Sequence, residues 1–163
     1  MKKISLVIVV LLLSFTGCKT NPEPFNALTT QQINAIKQYL PDGPNVTLDI
    51  SPEKGTVSYF NKDADFDTAG AMIIDKAQAL ALAENHLKEM GLLPPSSTYK
   101  TDVSGVSATP MDVYAGTFGE QQTLAYTVKI FCSINDESGK EEEEDINIVI
   151  TNKGIVSLDF NWN

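Results

Sequence analysis

There is no arginine anywhere in the chain. Arginine is the side chain that grips phosphate or carboxylate with two parallel hydrogen bonds, and lysine replaces it only as a point charge. Together with a formal net charge of −9, that absence argues against nucleic acid as a partner. Histidine occurs once, at His86, so any histidine-based triad or zinc site would have to be built on it. The sequence places His86 on the flank of a helix, as a surface residue. There is no metal-ligand spacing, no glycine-rich phosphate loop and no nucleophile beside a base. Carboxylates are plentiful, but acid–base chemistry needs a shielded cleft that nothing in the pattern indicates. The expectation is a protein that is not an enzyme and carries no cofactor.

Cysteine is almost as scarce, with only Cys18 and Cys132. Cys18 closes the stretch Ser14-Phe15-Thr16-Gly17-Cys18. This follows a basic Lys2-Lys3 pair and an apolar run, Ile4 to Phe15, too short to be a resident transmembrane helix. A small residue directly before a cysteine, after such a run, resembles the lipobox of bacterial lipoproteins. Phe15 stands where that box most often has leucine. The resemblance implies a signal peptide over residues 1–17, cleavage before Cys18, and lipid (palmitate among it) on that cysteine as the membrane anchor. Two or more acyl chains hold a protein stably, at about 0.8 kcal/mol per buried methylene. Residues 18–28, polar and carrying Pro22 and Pro24, then read as a lipidated tether. Lys19 stands where an inner-membrane retention signal would have Asp, which points to the outer membrane if the cell is Gram-negative. With Cys18 committed to lipid, Cys132 has no partner for a disulfide, and its alternation with Val128 and Ile130 predicts a buried, inert thiol.

Removing residues 1–17 leaves ten lysines against 21 acids over 146 residues. Such a domain would be repelled by an anionic membrane surface. Apolar content of 42% still suffices for a packed core.

Thr29 with Gln32 predicts a capped helix with Ile33, Ile36 and Leu40 on one face, stopped by Pro41-Asp42-Gly43-Pro44. Val46, Leu48 and Ile50 alternate, Ser51 to Gly55 turns, and Thr56 to Phe60 returns as a second strand. Asp75 with Gln78 starts a second helix with a stripe of Ala77, Leu80, Ala83, Leu87 and Met90, ended by Gly91 and Pro94-Pro95. Thr98 to Ser107, Thr123 to Ile134, Asp145 to Thr151 and Ile155 to Trp162 read as strands. The last two form a hairpin across Asn152-Lys153-Gly154. Ile146, Ile148 and Ile150 share one face. Val156, Leu158, Phe160 and Trp162 share one face of the returning strand. Asn147, Ser157, Asp159 and Asn161 lie opposite. The prediction is an α+β fold, an antiparallel sheet with a helix packed on one face. A helix–hairpin unit over 29–70 and an α+β unit over 71–163 would be its two parts, which share an order of helix then strands but no common motif.

The order "GTVSYFN" (55–61), "IDKAQALALAENHLKEMGLLP" (74–94), "LAYTVKIF" (124–131) and "DINIVITNKGIVSLDFNW" (145–162) resembles PepSY-like domains. These occur in metalloprotease propeptides and in extracytoplasmic regulators. Their pattern pairs an alanine-rich helix ending in glycine with strands that end in a Gly-Val/Ile turn. Ala77, Ala81, Gly91, Gly154 and Ile155 match it, so the unit over 71–163 resembles a PepSY-like α+β domain. The resemblance implies a noncatalytic module that inhibits proteases or modulates partners, here without a protease domain in cis.

Three groups of residues are candidates for function. Lys129, Phe131, Asn147, Asp159 and Asn161 fall on the polar side of the strands and are the expected surface for another envelope protein. Phe131 is either an interface anchor or is packed under the first helix. Asp63, Asp65 and Asp67 alternate like the start of a calcium loop. Counted from Asp63, however, Thr68 occupies the glycine position and Ile74 the closing glutamate position. A solvated loop is the simpler reading, and a looser Ca²⁺ site the alternative. Asp136 to Asp145 is a second acidic run, read as a hairpin loop. The alternative function is thus a calcium, small-ligand or glycan binder that uses these acidic loops.

Overall fold

The computed structural model describes residues 27–64, 70–96, 99–109, 111–112, 116–135 and 141–162. Among the described residues two α-helices, α1 (Thr30–Tyr39) and α2 (Lys76–Glu89), and two 3-10 turns, Pro52–Lys54 and Lys62–Ala64, accompany eight strands. These are β1 (Val46–Ser51), β2 (Thr56–Asn61), β3 (Lys100–Ala108), β4 (Met111–Asp112), β5 (Thr117–Phe118), β6 (Gln122–Asn135), β7 (Glu141–Thr151) and β8 (Gly154–Asn161). Six of them form one antiparallel sheet in the order β1-β2-β8-β7-β6-β3, and β4 and β5 make a separate two-stranded ribbon. The α+β expectation holds.

Both helices begin as the sequence predicts. Thr29 and Asp75 each accept a hydrogen bond from the backbone N–H three residues on, while Gln32 and Gln78 reach back to the cap's own N–H. Four otherwise orphaned donors are satisfied in this way. At the other end of α2, Leu92 N–H donates to the Leu87 carbonyl and Gly91 N–H to that of Lys88. Gly91 adopts φ +69°, which an L side chain rarely takes, and the turn drops Leu92 back into the core beside Leu87.

Strand alternation sorts the sheet into two faces. One inner row runs Leu48, Tyr59, Leu158, Ile148, Val128, Val103 across all six strands. The next runs Ile50, Val57, Phe160, Ile146, Ile130, Thr101. Ile36 and Leu40 of α1 and Ala83, Leu87 and Met90 of α2 join the same buried cluster. The helices therefore share this face. Gln32 Nε2 donates to the Gly91 carbonyl and Tyr39 Oη meets His86 Nδ1, so the two helices run antiparallel to each other.

Several expectations shift. The buried stripe of α2 is Ala79, Ala83, Leu87 and Met90, whereas Ala77 is exposed. The helix is rotated so that two alanines, both 0% exposed, meet the sheet and let the helix axis approach it. Ile155, not Val156, begins the core face of β8. Ile150 pairs with Ile155 and Val149 with Ser157, so Val156 is the extra residue of a β-bulge. The acidic run is not all loop, because Glu141 to Glu144 pair in register with Asn135 to Cys132 as part of β7. The proposed tether also ends early. Leu28 is buried, and its N–H donates to the Pro52 carbonyl at 2.9 Å.

The stripe assignment predicts unequal outcomes for equal insertions. Ala83→Leu forces a larger side chain into the helix–sheet contact and should cost about 1–3 kcal/mol. Ala77→Leu, on the exposed side, should change stability by less than about 0.5 kcal/mol. Urea unfolding of both variants checks this.

Candidate functional site

The side of the sheet away from the helices carries three rows in register. The middle row is Asp49, Ser58, Asp159, Asn147, Lys129, Asp102. One neighbour is Ser51, Thr56, Asn161, Asp145, Phe131, Lys100, and the other is Thr47, Phe60, Ser157, Val149, Thr127, Ser104. All five residues read from the sequence as a binding surface fall in the first two rows. Asp159, Asn147 and Lys129 are consecutive, and Asn161 and Phe131 flank Asp145. Neither α1 nor α2 covers this face, but its end near the β7–β8 turn is closed by the 3-10 turn Lys62–Ala64. Ala64, Ala125, Thr151 and Val156 are buried there outside the main core, and Thr151 Oγ1 donates to the Ala64 carbonyl at 2.7 Å.

Phe131 is half-buried and lies outside the core cluster, so it does not pack under α1. Lys129 Nζ sits 5.3 Å from its ring centroid and 3.5 Å from Asp145 Oδ2. The same Asp145 oxygen accepts from Asn147 Nδ2 at 3.1 Å. Asp145 therefore ties Lys129 and Asn147 together, and Lys129 in turn lies against the aromatic face. Ser58 Oγ donates to Asp159 Oδ1 at 2.9 Å, which orients that carboxylate on the same surface. The ion pair is about one-third exposed, so its net worth is under about 1 kcal/mol, and the cation–π contact adds a similar amount. These interactions order a surface rather than hold the fold.

Phe60 belongs to this face too, at 46% exposure, and the sequence reading missed it. The signal was present: Phe60 alternates with the buried Val57 and Tyr59, which fixes it outward. The sheet ends at β1 on one side and β3 on the other. β3 is nine residues long and exposed along nearly its whole length.

A second constellation lies on the helix side. Tyr39, Leu40 and Pro41 at the end of α1, Asn61 at the end of β2, His86 of α2, and Lys153, Gly154 and Ile155 at the β7–β8 turn surround a hollow of ≈ 210 Å³. Here the expected surface histidine is corrected. His86 projects toward α1, its Nδ1 is 2.7 Å from Tyr39 Oη, and its Nε2 is buried with no hydrogen-bond partner. The two rings meet edge-on, with centroids 5.7 Å apart. Burial pushes the His86 pKa below its ordinary 6.5. Burial also raises the Tyr39 hydroxyl, helped by the Glu89 charge. His86 stands one position before Leu87 of the buried stripe, near enough to turn inward, which its place off the apolar face concealed.

Two buried groups in the core are likewise without hydrogen-bond partners, Tyr59 Oη and Trp162 Nε1. Burial raises the Tyr59 pKa. The Asn61 side chain is near enough to counter part of that rise, although the pair does not meet hydrogen-bond geometry. Tyr99, pushed up to about 12 by burial and by Glu84, donates to Glu84 Oε1 at 2.9 Å and fastens the start of β3 to α2.

Of the acidic calcium candidates, Asp63 is described. Its Oδ1 accepts from Asn45 Nδ2 at 2.8 Å, joining the ends of the β1–β2 hairpin. Asp65 and Asp67 lie outside the described residues, as do Cys18 and the signal and tether up to residue 26. Among the described residues there is no group of three or more His, Cys, Asp or Glu side chains able to hold a metal ion. Cys132 is buried, as its alternation predicts. No described helix is long and apolar enough to cross a membrane. Comparison with family models, with curated proteins and with solved structures returns no match to the chain.

His86 is the only side chain here whose ordinary pKa lies between 5 and 8. Its folded pKa is lowered, so the native state holds it neutral. Its contribution to stability is full above about pH 6.5 and is lost as the pH falls below that toward the depressed value. The unfolding free energy should therefore drop between pH 7.5 and 5.5, with a slope from this residue below about 1.4 kcal/mol per pH unit, and the melting temperature should fall with it. His86→Gln should remove the part of the slope that belongs to this residue. Parallel melting curves for the two proteins would contradict the assignment.

Proposed function

We propose that this chain is a noncatalytic envelope lipoprotein, anchored through Cys18, whose domain binds and regulates another envelope protein in the manner of an inhibitor module. The observation that carries the reading is the helix-free side of the six-stranded sheet, where Phe131, Lys129, Asp145 and Asn147, all partly exposed, are held in one ordered patch. The lipobox-like N-terminus and the PepSY-like order of helix and strands support the same reading.

The surface specifies what it would accept. Its two central rows carry Asp49, Asp102, Asp145 and Asp159 against Lys100 and Lys129. A complementary partner is polar and bears cationic groups opposite the aspartates, with an apolar contact for Phe131. Charge complementarity of this kind sets orientation and association rate, while the aromatic supplies the buried anchor. The exposed β3 edge beside Lys100 and Asp102 could extend the contact by strand addition. The calcium reading gains no support from Asp63, whose carboxylate is engaged by Asn45.

Crosslinking of tagged, lipidated protein in native membranes, followed by mass spectrometry, tests the proposal. A specific protease or sensor protein should be recovered. Its yield should fall several-fold in Phe131→Ala and Lys129→Ala, although Lys129→Ala should lower stability by less than about 1 kcal/mol. Unchanged capture by both variants, or recovery of the lipoprotein alone at good crosslinking yield, would contradict it.

A further inference from the structure

Among the described residues that line the hollow at the end of α1 there is no Asp or Glu, unusual in so acidic a chain, although Glu89 lies on the other side of Tyr39. Three of the side chains that line it, Tyr39, Asn61 and Lys153, carry hydrogen-bond donors. Lys153 Nζ enters no ion pair among the described residues. Asn61 Oδ1 already accepts from the Asp63 N–H at 3.0 Å, which leaves its amide N–H₂ to donate elsewhere.

The Tyr39–His86 pair decides the third donor. If Tyr39 donated to His86 Nδ1, the ring proton would sit on Nε2, and a buried N–H would have no acceptor. If Nδ1–H donates to Tyr39 Oη, only a lone pair is left bare at Nε2. Orphaned buried N–H groups are rarer than under-satisfied acceptors, so the second arrangement is favoured. The Tyr39 hydroxyl then has its own proton to offer to the hollow.

We propose that this hollow binds a small carboxylate. Its oxygens accept from Tyr39 O–H and Asn61 Nδ2–H and pair with Lys153 Nζ, while a short apolar body rests on Leu40, Pro41 and Ile155. His86 is a positioning residue that turns the Tyr39 proton outward. The size limits the ligand. At ≈ 210 Å³ the hollow displaces roughly seven waters and is smaller than the usual drug-sized site. A branched aliphatic or single-ring acid fits that room. The site is separate from the sheet face and stands or falls independently of it.

The test is a ¹H–¹⁵N NMR titration of the full chain with isovalerate and with benzoate, each beside its neutral amide. Saturable shifts are expected at residues 39–41, 61, 86 and 153–155. Affinity should fall at least about tenfold for the amides and for Lys153→Met and Tyr39→Phe, and should persist in Lys153→Arg. Lys153 is on an exposed turn, so its variants keep the comparison decisive even if Tyr39→Phe loosens α1. Absence of saturable shifts at tens of millimolar acid, shifts centred elsewhere, or equal affinity in Lys153→Met would overturn the proposal.

Discussion

Everything in this fold depends on burying one side of a six-stranded antiparallel sheet beneath two helices. Neither helix could do so alone. α2 packs against β3, β6 and β7, with the small Ala83 and the larger Leu87 and Met90 all in the shared core and Ala79 buried on the same stripe. Ile36 and Leu40 of α1 join the same core. The last strand in the chain, β8, lies between β2 and β7. The N-terminal hairpin therefore joins the rest of the sheet only through the C-terminal strand. Such non-local pairing couples the two ends of the chain in one core and costs loop-closure entropy before it yields contacts.

The same constraint produces the functional surface. A sheet covered on one side must present the other to water, so polar residues alternate with core residues on every strand. On this sheet those polar residues are not scattered. Register brings Asp159, Asn147 and Lys129 side by side, and Asp145 links the last two. The helix side has its own consequence. Where α1 ends at Tyr39 the cover stops, and the hollow bounded by Tyr39, His86 and Lys153 is what remains at the margin of the core.

Much of this was legible in the sequence, because it follows from periodicity and local chemistry. Both capping boxes, the Gly91 stop, the β7–β8 hairpin and the division of the last strands into two faces depend on residues within a few positions of one another. What escaped depends on distant partners. The bulge at Val156 arises from how β8 must meet β7, and alternation alone carries it one residue out of phase. Glu141 to Glu144 have the composition of a loop, yet they continue β7 because β6 extends to pair with them. The rotation of α2 from Ala77 to Ala79 was hidden by its abundant alanines, which give little contrast between faces. His86 was placed at the surface for the same reason. Leu28 was assigned to a polar tether by its neighbours, although the Pro52 carbonyl and the core claim it.

The most direct test of the account is a photocrosslinking side chain placed at single positions of the lipidated protein in intact cells. One position is Asn147, at the centre of the open sheet face, and the other is Ala77, exposed on the outside of α2. The account predicts a discrete adduct with one envelope protein from position 147 and none from position 77. The same adducts from both positions, or none from position 147 in a folded and membrane-localised protein, would contradict it.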